Sequence, residues 1–207
     1  AAGVVSVVVT GNPATGLQFF SDASCTTALA GGAFTLASGS TSGSFYARSA
    51  VAGTPLLTAA STGLTSGTQT LTVTPGTPSR IRFTTSPQGI ATNTCSSVVG
   101  VEAQDANGNA SAVATLTTLA LTANPASGFT FYSDPTCTNL VTAVNINAGA
   151  SNTTFHFRGT ASGNVNMTAT SATLGTDVQS ATIGAGPPAA LVFTTAAQSN
   201  VVAGTCS

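Results

Sequence analysis

Lysine is absent from this chain of 207 residues, and charged residues of all kinds make up only 4% of it. Ordinary soluble domains consist of charged residues to about a quarter. Four arginines and five carboxylates give a formal net charge of −1. Without a basic patch, nothing in the chain can neutralise a row of phosphates or hold an anionic lipid surface. We therefore predict no nucleic-acid partner.

Long apolar runs are also missing. The longest unbroken stretch covers residues 189–193, far short of the roughly 20 residues that a transmembrane helix needs. No basic segment followed by an apolar one stands at the N-terminus, as it would in a secretory leader. We predict that the chain does not span a membrane, and we interpret position 1 as a mature or truncated start.

The residues that are present favour strands. Val, Thr and Ile are abundant and Phe recurs at regular intervals, which separates this chain from disordered sequences of equally low charge. Gly, Pro, Asn and Ser interrupt short apolar runs, and no segment of useful length has a helical period. This pattern predicts an all-β fold of many short strands joined by turns.

Internal repetition is the main signal in the sequence. Similar segments recur at a nearly constant offset of 110 to 112 residues along the whole chain. The matching pairs are 12–26 with 124–138, 45–48 with 155–158, 78–85 with 188–195, and 94–96 with 205–207. A period of this length is the size of one β-sandwich and too long for a solenoid repeat.

The repeat predicts β-sandwich domains arranged as beads on a string. We expect an incomplete repeat that lacks its opening strands over 1–77, a complete repeat over 78–187, and the opening strand of a further repeat over 188–207. The chain is then expected to begin and end inside domains. Pro-containing linkers are expected near 75–78 and 184–188.

Alternation within the complete repeat predicts seven or eight strands. Ile81, Phe83, Phe155 and Phe157 are expected to face inward, as are Val99, Val101 and Ala103, whereas His156 and Arg158 should face outward. Residues 105–109 should form a tight turn, because Asn-Gly favours positive φ. The same residues resemble the start of a calcium loop, but Ala110 and Leu116 replace the glycine and the glutamate that such a loop needs, so turn chemistry explains them better.

Three motifs point to a family. They are the Phe-Thr-Thr strand at 83–85, Val-x-Ala-Gln-Asp-Ala-Asn-Gly-Asn at 101–109, and Phe-Tyr-Ser-Asp-x-x-Cys at 131–137. Together with the repeat, they resemble the tandem bacterial immunoglobulin-like (Big, invasin-type) repeats of giant surface proteins. The resemblance implies immunoglobulin-like sandwiches that serve as extracellular spacers, adhesin stalks or fibre elements. The cysteines depart from that pattern, since many such repeats lack them.

Two cysteines lie within the complete repeat, Cys95 and Cys137, and we predict that they pair with each other. A loop of about 40 residues closed in this way stabilises a fold by roughly 3 to 4 kcal/mol. Persistent disulfides also imply an oxidising, extracellular compartment. Free thiols or a zinc site are the alternatives, although no histidine or second cysteine lies near either position.

Cys25 and Cys206 have no partner within their own repeats. One interpretation is that their partners lie outside this sequence. The other is a polymer, in which residues 188–207 of one molecule supply the missing opening strand of the next, and Cys206 crosslinks to Cys25 of the neighbour.

The few charged residues recur in pairs. Asp22 and Arg48 return as Asp134 and Arg158, which predicts a structural ion pair in each repeat. Arg82 and Glu102 are expected to pair across neighbouring strands in the same way.

Nothing in the sequence predicts catalysis. His156 is the sole histidine, and its counterpart in the first repeat is Tyr46. No catalytic group, metal or cofactor is predicted.

We therefore predict a structural segment of an extracellular bacterial fibre or surface filament. Its expected partners are copies of itself or adjacent repeats of a longer chain. One alternative is a stalk or ligand-binding domain of an adhesin that binds a glycan or protein on a host or cell surface. Another is a non-catalytic domain of a secreted enzyme.

Overall fold

The computed structural model describes residues 3–186, 188 and 190–194. Apart from one short 3-10 turn, Ala30–Gly32, all regular structure in these residues is β-strand. The predicted all-β sandwich class is confirmed. No helix in the described part of the chain is long and apolar enough to cross a membrane.

Residues 3–74, here called the first module, contain six strands. They are β1 (Val5–Asn12), β2 (Leu17–Phe20), β3 (Ala33–Leu36), β4 (Tyr46–Ser49), β5 (Leu56–Ala60) and β6 (Gly67–Thr70). One sheet has the order β3-β1-β5-β6, and the other consists of β2 and β4.

Residues 78–186, here called the second module, contain ten strands rather than the seven or eight expected. They are β7 (Arg80–Phe83), β8 (Gln88–Ala91), β9 (Val99–Gln104), β10 (Thr117–Asn124), β11 (Phe129–Tyr132), β12 (Leu140–Val141), β13 (Ala143–Ile146), β14 (Asn152–Gly159), β15 (Gly163–Ser171) and β16 (Gly175–Gly184). Two five-stranded sheets result, with the orders β13-β10-β15-β16-β8 and β12-β11-β14-β9-β7.

The two modules share their strand order. β3-β1-β5-β6 in the first module matches β13-β10-β15-β16 in the second, and β2-β4 matches β11-β14. The register agrees as well, since Phe19 faces Ala47 in the first module as Phe131 faces Phe157 in the second. Counterparts of β7, β8 and β9 are not among the strands described in residues 3–74.

The core of the second module lies between its two sheets. Val99, Val101 and Ala103 are fully buried on β9, as their alternation predicts. Phe155 contacts Phe131 at a ring-centroid distance of 5.6 Å in this core. Burying a side chain of this size stabilises a fold by about 1.5–3 kcal/mol.

The first module has a smaller core. Val9, Phe20 and Leu57 are buried. By contrast, Phe45, the counterpart of the fully buried Phe155, is only half-buried, although its ring contacts Phe19 at 5.8 Å. Phe45 is less well covered than Phe155 because the described part of the first module has no counterparts of β7, β8 and β9.

Candidate functional sites: the disulfide loop, the joint and the open edge

A disulfide ties the loop after β11 to the loop after β8. Cys95 and Cys137 are bonded with a Cα–Cα distance of 5.7 Å, across a sequence separation of 42 residues. Cys137 has a φ of 54°, a left-handed conformation that is uncommon outside glycine. The predicted pair is therefore brought together, and its loop is shaped to present the sulfur.

Asp134 organises this loop as a clasp of backbone N–H groups. Its carboxylate accepts hydrogen bonds from the Thr136 hydroxyl, from the backbone N–H of Asn139 at 2.6 Å, and from the backbone and hydroxyl groups of Thr138. These bonds, led by the one from the Thr136 hydroxyl, hold the pKa of Asp134 well below its usual range. We call this arrangement the aspartate clasp.

The first module contains the same clasp around Cys25. Asp22 accepts hydrogen bonds from the backbone N–H of Thr27 at 2.6 Å and of Thr26 at 3.1 Å, and these bonds lower its pKa to about 2. Cys25 has a φ of 52°, close to that of Cys137. Its thiol is free and partly exposed. The first module therefore presents a cysteine in the geometry that forms a disulfide in the second.

Cys206 and its neighbours from 195 to 207 lie outside the described residues. The described part of this tail, residues 190–194, leaves Leu191 at 102% and Phe193 at 96% exposure. In the second module the counterpart of Leu191 is Ile81, which is buried at 1% exposure.

The recurring arginines do not pair with the recurring aspartates. Arg48 donates a hydrogen bond to Gln18 at 2.9 Å, and its guanidinium lies 5.0 Å from the centre of the Phe20 ring. Arg158 lies over Tyr132 at 5.2 Å in the second module. Both predicted ion pairs are thus replaced by cation–π contacts, because the N–H and O–H donors of the clasp already occupy the carboxylate oxygens of each aspartate.

Arg82 also has a different partner from the one expected. It lies opposite Glu102 across β7 and β9, but its guanidinium donates to Asp177 at 2.8 Å. Asp177 accepts a second hydrogen bond, from the backbone N–H of Phe83, also at 2.8 Å. Glu102 instead accepts from the Gln104 side chain.

Removing Asp177 should therefore matter more than removing Glu102. Asp177→Ala leaves the part-buried N–H of Phe83 without an acceptor, so we expect a loss of about 1–2 kcal/mol in the free energy of unfolding. Glu102→Ala should change it by less than about 0.5 kcal/mol. Urea denaturation of both variants measures the difference. Equal losses in the free energy of unfolding would contradict the stronger role of Asp177.

His156 is buried, not on the strand surface as predicted. Its Nδ1 lies 3.1 Å from the backbone oxygen of Ser96. The segment that carries Ser96 runs along the edge of β14, because the N–H of Ser96 donates to Phe157 O and its hydroxyl accepts from the Phe157 N–H. Alternation within one strand could not reveal a cover from 60 residues away.

The turn at 105–109 forms the joint between the modules. Asp105 accepts hydrogen bonds from the Asn109 side chain and backbone and from the backbone N–H of Gly76. The Asn109 amide then reaches into the first module, where it accepts from Ala52 N–H at 2.9 Å and donates to Ala50 O at 3.0 Å. The Asn-Gly turn was predicted, but nothing in its pattern signals these contacts with the first module.

The joint should be sensitive to acid. The hydrogen bond from the Asn109 side chain is the main cause that lowers the pKa of Asp105 to about 2. A depressed folded-state pKa gives stability that is complete above the ordinary value near 4 and is lost as the pH falls through about 2.

We expect the melting temperature to differ between the wild type and Asp105→Asn by a constant amount above about pH 4. The difference should shrink between pH 4 and pH 2. Calorimetry across this range measures it, with Glu102→Gln as the control variant. A difference that stays constant to pH 2 would contradict this role of Asp105.

The first module leaves two sheet edges open. β4 pairs only with β2, and β6 pairs only with β5, among the described residues. In the second module the matching edges are occupied. β14 pairs with β9, and β16 pairs in parallel with β8 through residues 181–184, the counterparts of residues 71–74 just after β6. Open edges carry unpaired N–H and C=O groups that can accept another strand.

Comparison with known proteins finds similarity to solved structures. No protein-family model matches the chain, and no curated protein does. Among solved structures, domains 4–9 of the surface layer protein SbsC match 89% of this chain and 23% of their own at 18% identity, with a TM-score of 0.39. A glycosyl hydrolase family 2 member from Bacteroides cellulosilyticus matches 81% of this chain and 21% of its own at 16% identity, with a TM-score of 0.43. This chain therefore spans less than a quarter of either protein, and TM-scores below 0.5 at such identities support no conclusion about function.

Proposed function

We propose that this chain is a structural segment of an extracellular fibre or surface filament built from tandem immunoglobulin-like sandwiches. Its role is mechanical: each module holds its own core, and a short linker with a hydrogen-bonded joint fixes the next one. The boundaries proposed from the sequence fit this role, with an incomplete repeat over 1–77, a complete one over 78–187 and the start of another over 188–207.

The shared strand order of the two modules carries this proposal. Six strands of the first module follow the order and register of their counterparts in the second, and the aspartate clasp recurs around Asp22 and Asp134. A chain that repeats one sandwich in series, with a joint between copies, extends in one dimension. That is the form of a spacer or fibre.

The disulfide supports an extracellular setting. Persistent disulfides form in oxidising compartments and are rare in the cytosol. The bond between Cys95 and Cys137 closes a loop of 42 residues within the second module, so a pulling force cannot extend that loop while the bond holds. A module protected in this way suits a load-bearing role outside the cell.

The surface favours a structural role over an adhesin. A glycan- or protein-binding tip needs a cluster of exposed aromatic side chains at the loop ends. Among the described residues, the exposed aromatic side chains are Tyr46, which lies on β4, and Phe193, which lies in the tail. Neither position lies at a loop tip.

Negative-stain imaging of the native material tests the proposal. We expect long beaded filaments in which the beads are evenly spaced, because the joint fixes one module on the next. Discrete particles without a beaded thread would contradict a fibre role and favour the adhesin or the accessory domain of an enzyme.

A further inference from the structure

We propose that the outer side of the sheet β13-β10-β15-β16-β8, here called the docking face, binds the same face of a second copy of this chain. The proposal rests on the fibre role and deepens it, because it names the contact that joins neighbouring threads side by side. All five strands lie in the second module, within the described residues.

Charge is divided unequally between the two sheets of the second module. The sheet β12-β11-β14-β9-β7 carries Arg80, Arg82, Glu102 and Arg158. As the structure describes them, the five strands of the other sheet carry a single charged residue, Asp177. Its side chain is only 14% exposed and is turned toward Arg82 on β7. The docking face therefore presents no charge to its surroundings.

Small uncharged side chains cover the docking face. Alternation turns the even-numbered residues of β10, β15 and β16 outward, and all of them are exposed except Thr168, which is partly exposed. These residues are threonine, asparagine, serine and alanine, with one valine, Val178. Thr122 on β10 lies opposite Thr168 on the central strand β15, so both lie near the middle of the face.

A face of this composition is complementary to itself. Each hydroxyl group and each side-chain amide carries both a donor and an acceptor, so two identical faces can pair donors with acceptors. Two identical charged faces would instead repel each other, and burying their charges would cost desolvation energy. A symmetric contact between two copies requires a surface that matches itself in this way.

Hydrogen bonds between neighbouring strands already order part of the docking face. The Thr118 hydroxyl donates to the Asn145 side chain at 2.9 Å, and the Thr182 hydroxyl donates to the Asn164 side chain at 3.1 Å. Side chains that are ordered before binding lose less conformational entropy when a partner arrives. The face is therefore prepared for a close contact.

The first module repeats this division of charge. Its sheet β3-β1-β5-β6, which matches β13-β10-β15-β16, has no charged residue in its described strands. The outward residues of β1, the counterparts of the even-numbered residues of β10, are Ser6, Val8, Thr10 and Asn12. An array of such modules would offer one uncharged face per module.

The area of one docking face predicts a weak contact that gains strength by repetition. β10, β15 and β16 have 8, 9 and 10 residues, and β13 and β8 have 4 each. At about 3.4 Å per residue and about 4.8 Å between strands, the face covers about 570 Å². Stable complexes bury about 800 Å² on each partner, and transient ones bury less. Several faces engaged at once can raise the overall affinity by about 100-fold to 10,000-fold.

Beads that display the whole chain at high density imitate such an array. Free thiols are blocked with iodoacetamide, so that no disulfide can join two beads. Wild-type beads of two colours should form mixed doublets in a flow cytometer. Thr122→Lys places a charge near the middle of the docking face and should lower the doublet fraction by about tenfold or more, because like charges then meet in the contact.

Thr154→Lys is the matched control. Thr154 is also an exposed threonine, but it lies on β14 in the other sheet. This variant has the same net charge as Thr122→Lys and should form doublets as the wild type does. Both variants should melt close to the wild-type temperature, since exposed substitutions of this kind hardly change stability.

A mixture of two face variants tests whether the docking face meets itself. Beads with Thr122→Lys and beads with Thr122→Glu should each stay dispersed, whereas a mixture of the two should regain mixed doublets, because opposite charges then meet. A mixture that stays dispersed would overturn the proposal. So would wild-type beads that form no doublets, or equal doublet fractions for Thr122→Lys and Thr154→Lys.

One other occupant has its own outcome. If wild-type beads stay apart but bind cellulose, and Thr122→Lys abolishes that binding, the docking face belongs to an uncharged polysaccharide and not to a second copy. The fibre role is tested separately by imaging. Beaded threads that lie singly, without neighbours alongside, would support the fibre role and contradict the lateral contact.

Discussion

Loss of the Cys95–Cys137 disulfide should lower the stability of the second module by about 4 kcal/mol. The bond closes a loop of 42 residues, and the chain-entropy model assigns a loop of this length about that value. For a module of this size, the change corresponds to a fall in melting temperature on the order of 15 °C or more. Calorimetry of the double variant Cys95→Ser, Cys137→Ser measures it.

Cys25→Ser is the control for this prediction. Cys25 forms no disulfide in the structure, and serine is similar in size to cysteine. The Cys25→Ser variant should therefore melt at the wild-type temperature in reductant-free buffer. If the double variant also melts at the wild-type temperature, the bond between Cys95 and Cys137 does not stabilise the module.

The phenylalanine at the centre of each sandwich should contribute a different amount to stability in the two modules. Phe155 is fully buried, so Phe155→Ala should destabilise the second module by about 3–5 kcal/mol through lost transfer energy and a residual cavity. Phe45 occupies the equivalent place in the first module but is only partly buried, so Phe45→Ala should cost less, about 2–3 kcal/mol.

Guanidinium denaturation followed by a probe in each module measures both losses. If Phe45→Ala costs as much as Phe155→Ala in the isolated chain, the face of the first module is already covered.

Local patterns in the sequence predicted much of the fold. Alternation placed Val99, Val101 and Ala103 in the core, where all three are fully buried. The repeat also led to the pairing of Cys95 and Cys137, which the structure brings together. These features depend on periods of two residues or on spacing, and both can be read along a single chain.

Contacts between distant segments were predicted less well. β8 was missed because Gln88 and Gly89 weaken its apolar pattern, and its partner β16 lies about 90 residues further along the chain. Arg82 finds Asp177 on that same distant strand in place of its cross-strand neighbour Glu102. Short strands and ion pairs of this kind depend on how the sheets stack, which no local pattern encodes.

The contacts across the joint could not be predicted from the sequence for the same reason. The turn at 105–109 was predicted from its Asn-Gly pair, yet the partners of Asn109 in the first module, Ala50 and Ala52, are small residues without a distinctive pattern. Their contribution is through backbone groups, which every residue carries. Only the folded arrangement of both modules shows which of these groups the turn reaches.

The pair of hydrogen bonds that Asn109 makes with the first module has a consequence for any long array of such modules. A side-chain amide that binds the N–H of Ala52 and the C=O of Ala50 resists both twisting and tilting of one bead against the next. Where the same contacts recur at each junction, every module would be set on the last one at the same angle. The thread would then be stiff, with a regular repeat along its length.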